Sequence, residues 1–144
     1  NTRTSIIFTM TTFESKIVAI KRTDEDIYKV LSSFQNFSPF IPADKMEDWE
    51  ATEDSCSFTI KGIGKTGLKM VEREPFKTIK VGGADGAPLD FNLWIQLKQI
   101  APYDTRMKIT VKAELNMMMK MLLKDKLQKG IDAMADQIAM AFNR

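Results

Sequence analysis

The feature that most constrains this chain is a change in its hydrophobic period. From Met46 to Ala113 apolar and polar residues alternate at every second position, and from Asn116 onward the apolar residues recur every three or four. Period two sends successive side chains to opposite faces of a strand, whereas period 3.6 gathers them on one face of a helix. The pattern predicts a strand meander whose one apolar face is covered by a single long C-terminal helix.

The alternation is clearest where Cys56, Phe58 and Ile60 oppose Ser57, Thr59 and Lys61. It returns where Leu89, Phe91, Leu93, Ile95 and Leu97 share a face, and where Met107, Ile109, Val111 and Ala113 oppose Arg106, Lys108, Thr110 and Lys112. One face of such a sheet is buried and the other is wet. Strands are predicted over 46–52, 55–61, 66–74, 77–82, 89–100 and 105–114, with turn signals between them such as Glu53-Asp54, Gly62-Ile63-Gly64 and Glu74-Pro75. A first strand at Thr12–Ile20, with Phe13, Ser15, Ile17 and Ala19 on one side, makes seven.

Two short helices are expected between strands one and two. Thr23 followed by Asp24-Glu25-Asp26 is an N-cap signal, and Ile27, Val30, Leu31 and Phe34 follow at helical spacing. The segment Asn36 to Pro42 holds two prolines among apolar residues, which suits a short helical turn whose aromatic side chains help close one end of the domain. The last helix starts at the N-cap Asn116 and carries the stripe Met118, Leu122, Leu127, Ile131, Met134, Ile138 and Phe142. About 26 helical residues make a rod of about 39 Å, long enough to lie along a whole sheet. The fold class is therefore α+β, a curved seven-stranded antiparallel sheet wrapped around a long helix.

At 144 residues the chain fits one domain with a real core, expected over 11–144, with 1–10 read as an extension outside the fold. Twenty-one basic against 19 acidic residues, spread along the chain, do not suggest nucleic acid. Cys56 is the only cysteine and cannot close an intramolecular disulfide, no apolar run approaches a bilayer span, and Asn1–Met10 lacks the features of a signal peptide. A cytoplasmic location, with no integral membrane segment and a monomer or homodimer, is the matching expectation.

The order of elements, the helix at Asp24–Phe34 followed by Asn36-Phe37, and the segments Asp90–Leu97 (DFNLWIQL) and Ala113–Leu123 (AELNMMMKMLL) resemble the START-like, or SRPBCC, superfamily. They look like small bacterial members of uncharacterised function, often labelled polyketide cyclase or lipid-transport proteins. The resemblance covers nearly all of residues 12–143. It implies the helix-grip fold and a cavity between the concave sheet face and the long helix. Fold alone does not settle function, since the superfamily holds ligand carriers, quinone-binding proteins, cyclases and cochaperone domains.

Combined with the alternation, the resemblance marks Phe58, Ile60, Leu68, Met70, Phe91, Leu93, Ile95, Met107, Ile109, Met118, Met121, Leu122 and Met134 as cavity candidates. The same side chains could equally fill one another's space as a core. Ten methionines favour a cavity, because unbranched thioether chains adapt to variable shapes. Met117, Met118, Met119 and Met121 cannot all face one way on a helix, so some must be exposed or line an entrance. Glu72 continues the parity of Leu68 and Met70 and is the candidate polar pocket residue.

No catalytic set, metal site or cofactor motif stands out. Gly64-Lys65-Thr66 mimics the end of a phosphate-binding loop, but Thr59 stands where its first glycine belongs and the flanks read as strands. The chain has no histidine, which removes the commonest general base and metal ligand. Binding or carriage of a small hydrophobic molecule, a lipid, quinone or polyketide-like compound, is the leading expectation. The alternatives are a polyketide cyclase or dehydratase-like enzyme, which needs polar groups in the pocket, and a cochaperone-type interaction domain with a filled interior.

Overall fold

The computed structural model describes residues 9–41, 44, 46–62, 64–87 and 90–144. Eight antiparallel strands form one sheet: β1 (Thr9–Glu14), β2 (Val18–Ile20), β3 (Met46–Ala51), β4 (Ser55–Ile60), β5 (Gly64–Glu74), β6 (Thr78–Gly83), β7 (Phe91–Ala101) and β8 (Asp104–Leu115). The spatial order is β1-β8-β7-β6-β5-β4-β3, with β2 also paired to β8. Helix α1 spans Asp24–Leu31 and is followed by 3-10 turns at Phe34–Asn36 and Ser38–Phe40; helix α2 spans Met117–Phe142. This is the expected α+β architecture of meander and long helix. Leu89, Ile63 and residues 1–8 lie outside the described residues, and Thr9 and Met10 belong to β1, where they pair with Leu115 and Glu114.

Eight strands replace seven because the first one breaks. Ser15 is buried at the break, where its N–H donates to the Ile109 carbonyl and its Oγ accepts from the Ile109 N–H, both at 2.8 Å. The hydroxyl stands in for a missing backbone partner, so the chain leaves the ladder without orphaning a buried donor. Parity changes across the break. Val18 and Ile20 are buried, whereas Ile17, expected on the same side as Phe13, is exposed.

The break is also where α2 is fastened. Asp132 Oδ1 accepts from the Lys16 N–H at 2.7 Å, Lys16 Nζ meets Asp136 Oδ2 at 2.8 Å, and Gln128 Nε2 donates to the Glu14 carbonyl at 2.7 Å. At the helix end Asn143 accepts from the Lys21 N–H and donates to the Ala19 carbonyl. Between these ties Ile131, Ala135, Ile138 and Ala139 are buried against the sheet's inner face. That face supplies Ile79, Val81, Ile95, Leu97, Met107, Ile109, Val111, Ala113 and Leu115, as the alternation requires.

On α2 the stripe differs from the expected one in its first half. Met119, Leu123 and Leu127 pack on the core, while Met118 and Leu122 face solvent. Helix α1 starts at the Thr23 cap, whose hydroxyl accepts from the Asp26 N–H, and it stops at Ser32. Arg73 holds that end by donating to the Ser32 carbonyl at 2.9 Å, and it reaches the Glu53 carbonyl and Asp54 Oδ1 as well. A cation on the last carbonyls of a helix complements its dipole. Among the described residues no helix is long and apolar enough to cross a membrane.

The Lys16 N–H and the Gln128 amide hold the Asp132 carboxyl below its ordinary value of 3.8. A depressed folded value means the contribution to stability is complete above the ordinary value and disappears as the pH falls through the folded one. Asp132→Ala should therefore lower the urea midpoint at neutral pH, and its gap from the parent should close as the pH drops below 3.8. A gap independent of pH would mean the carboxylate is not what ties α2 to the break.

Candidate ligand-binding cavity

Three register shifts decide what faces the interior. In β3 the pairs Glu47↔Thr59 and Glu50↔Ser57 leave one extra residue on β3, and Asp48 takes a left-handed backbone, φ 57°. Aspartate tolerates that region better than most residues. The extra residue turns Trp49 inward, where it stacks on Phe58 with ring centres 5.9 Å apart. In β5 the pairs Met70↔Val81 and Glu72↔Lys80 place a second bulge at Val71. Parity flips there, so Glu72 is exposed opposite Lys80 and Arg73, paired with Ile79, is the polar side chain on the inner side. Glu72 is thus not a pocket residue: its expected orientation assumed an unbroken period of two. The third shift, in β7 between Gln99 and Ala101, lies at the far end of the sheet.

An apolar cavity of about 100 Å³ lies between the inner face and the second half of α2. Its sheet wall is Met46 and Trp49 of β3, Phe58 of β4, Leu68 of β5, Val81 of β6, and Leu93 and Ile95 of β7. Met134 and Ile138 of α2 form the roof, and Phe34, Phe37, Phe40 and Ile41 of the 3-10 segment close the end. Every lining residue is apolar and five are aromatic. Phe34, Phe37, Phe40 and Phe142 continue this as a chain of ring contacts with centres 5.2 to 6.0 Å apart. A wider hollow of about 250 Å³, near Ser57, Lys65, Thr66 and Asp85, is lined by polar as well as apolar groups.

Of the sequence candidates, Phe58, Leu68, Leu93, Ile95 and Met134 line the cavity. Met107 and Ile109 are wholly buried on β8, away from its wall, and Ile60, Met70 and Phe91 pack against the core without lining it. Met118, Met121 and Leu122 are exposed on α2, and Met134, though part of the roof, is 38% exposed. The wall residues absent from the candidates include Met46, Trp49, Val81 and Ile138. A readable signal existed for Trp49: apolar residues at Met46, Trp49 and Ala51 are spaced three and then two, as a one-residue bulge requires.

Elsewhere the inner and outer faces divide as expected. Cys56 is buried as a small hydrophobe, and burial pushes its thiol up to about 11. Trp94 sits on the outer face with Lys80 Nζ and Lys112 Nζ 5.3 and 5.7 Å from its ring. Gly64, Lys65 and Thr66 lie on β5, with no helix after them to receive a phosphate. Gly67 is required where β5 passes β4, since a Cβ would stand 2.5 Å from the Cys56 carbonyl oxygen. No group of acidic or cysteine side chains among the described residues is arranged to hold a metal.

The architecture is the helix-grip fold, a curved antiparallel sheet around a long C-terminal helix. No family model matches the sequence, and no curated protein matches it either. Solved structures do match in fold. Norcoclaurine synthase from Thalictrum flavum, in complex with dopamine and hydroxybenzaldehyde, aligns with a TM-score of 0.73 at 14% identity, over 93% of this chain and 87% of that one. The Aha1 dimer from Colwellia psychrerythraea aligns at 0.72 and 16% identity, over 93% and 97%. A protein from Chromobacterium violaceum aligns at 0.68 and 12% identity, over 92% and 98%. At these identities the likeness is one of fold.

Two measurements test this geometry. Asp48→Gly should be tolerated and Asp48→Val should cost about 1–2 kcal/mol, because a β-branched residue resists the left-handed region. In a Trp94→Phe background the Val variant should also red-shift the emission of Trp49 as the ring loses its buried seat. With its thiol near 11, Cys56 should be ionised at roughly one part in a thousand at pH 8, so a thiol reagent should label the native protein slowly and the denatured protein fast. Rapid native labelling would show that β4 is not seated as described.

Proposed function

We propose that the protein binds a small hydrophobic molecule, with an aromatic ring as its best-fitting part, in the cavity between the sheet and the second half of α2. The observation that carries this reading is the uniformly apolar wall around unfilled space. Interiors are normally packed to crystal-like density, and a void of this size forgoes up to about 2 kcal/mol that larger side chains would recover. Five aromatic side chains suit a flat ring, and norcoclaurine synthase, of like fold, is known in complex with two single-ring compounds.

Volume sets the ligand class. A dry cavity of about 150 Å³ admits benzene, whereas drug-sized ligands occupy roughly 300–1,000 Å³. The present cavity of about 100 Å³ takes part of a ring, and a lipid or polyketide would require the roof to move. Burying a ring of about 150 Å² at about 25 cal/mol per Å² yields about 4 kcal/mol gross, which corresponds to millimolar affinity before any cost of ordering. Tighter binding therefore depends on expansion at Met134 and the 3-10 segment. Acid–base catalysis draws no support from the lining, which offers no proton donor or acceptor.

Native mass spectrometry with solvent extraction, on protein from its own host's lysate, should reveal a stoichiometric apolar compound. With Trp94→Phe, the ligand or a single-ring probe such as toluene should change Trp49 emission and raise the melting temperature. Leu93→Phe, which fills the void, should keep the fold and weaken both responses more than about tenfold. Absence of any bound apolar mass, together with equal probe responses in parent and filled variant, would end this reading.

A further inference from the structure

The first half of α2 is built differently from the second. Met117, Met118, Met121 and Leu122 are 78, 71, 80 and 67% exposed. At 100° per residue they occupy one continuous sector, on the side of the helix away from Met119, Leu123 and Leu127, which pack on the core. Lys120 and Lys124 border that sector on one side and Lys126 on the other, while Asp125 and Lys129 continue the sector itself further along the helix. All four are exposed, and Asp125 is the one acidic residue between Met117 and Gly130.

Lys16, Lys29, Lys69, Lys77 and Lys108 each meet a carboxylate, while among the described residues these four meet none. The first turn holds no acidic residue, and Lys120 stands beside it, against the preference of a helix N-terminus for negative charge. Exposed apolar side chains and cations at the wrong helix end both work against the isolated fold. Such departures from local consistency are expected at working surfaces.

We propose that this face of α2 docks the protein on an anionic phospholipid surface. Met and Leu side chains would enter the boundary between headgroups and acyl chains while the flanking lysines meet lipid phosphates and carboxylates. The helix is too polar to cross the bilayer, so it lies in the interface. It needs no rearrangement to do so, because its opposite face and its C-terminal half are already fastened to the sheet. A second copy of the chain is a poorer occupant: a two-fold contact centred on Met121 would gather eight lysines and two aspartates around one patch.

Cosedimentation of the full chain with phosphatidylcholine vesicles, with and without phosphatidylserine, tests this. Binding should appear with phosphatidylserine, fall with added salt, and be weakened more than about tenfold by either Met118→Ser with Met121→Ser or Lys124→Glu with Lys126→Glu. These positions are exposed, so circular dichroism and melting temperature should match the parent. Lack of sedimentation with phosphatidylserine vesicles, binding indifferent to lipid charge, or a dimer that the Met variant disperses would each overturn the proposal.

Discussion

The structure depends on the mutual burial of the sheet's concave face and the second half of α2. Neither element is viable alone: an isolated helix gains little in water, and a one-sided sheet leaves its apolar face wet. Ala135 and Ala139 are fully or nearly buried at the contact, and their small side chains let the helix axis approach the sheet while Ile131 and Ile138 fill the spaces beside them. A flat sheet could not enclose a rod in this way. The bulges in β3, β5 and β7 and the break at Ser15 supply the bends, and each satisfies its backbone groups or shows its extra residue exposed.

The same bends mark where the sequence stops being readable by period. In β8 the alternation runs unbroken from Thr105 to Leu115, and every expected inward residue there is buried. The Asn116 cap, the extent of α2 and the α1 cap were legible for a similar reason, since capping chemistry is local. A bulge adds one residue and exchanges the faces beyond it. Counting twos through such points places Glu72 with Leu68 and Met70, and Ile17 with Phe13, on faces they do not take.

On α2 the error had a different origin. A helix of 26 residues drifts across its contact surface, so the stripe that begins at Met119 and passes Leu123 and Leu127 to Ile131 cannot be fixed from one end. With apolar residues at 117, 118, 119, 121, 122 and 123, the first half offers two stripes of equal hydrophobicity. Composition could not choose between them. The sheet chose, because β1 and β8 meet the helix on one side only.

The position of the cavity follows from how unevenly α2 is held. Its ties through Gln128, Asp132, Asp136 and Asn143 all run to the broken first strand, at one edge of the sheet. On the other flank it meets the second 3-10 turn, where Phe40 lies against Phe142. That turn closes its own hydrogen bonds, from the Phe40 N–H to Phe37 and from the Ile41 N–H to Ser38, and contacts α2 through aromatic rings. The first 3-10 turn is tied more firmly, since the Phe34 N–H donates to the Glu53 carbonyl and the Asn36 side chain to the Val30 carbonyl. Lifting α2 would break charged and backbone hydrogen bonds, whereas moving Phe37, Phe40 and Met134 exchanges one apolar contact for another. An apolar guest restores those contacts, so the least costly way to enlarge the cavity is at the 3-10 segment, with the helix left in place.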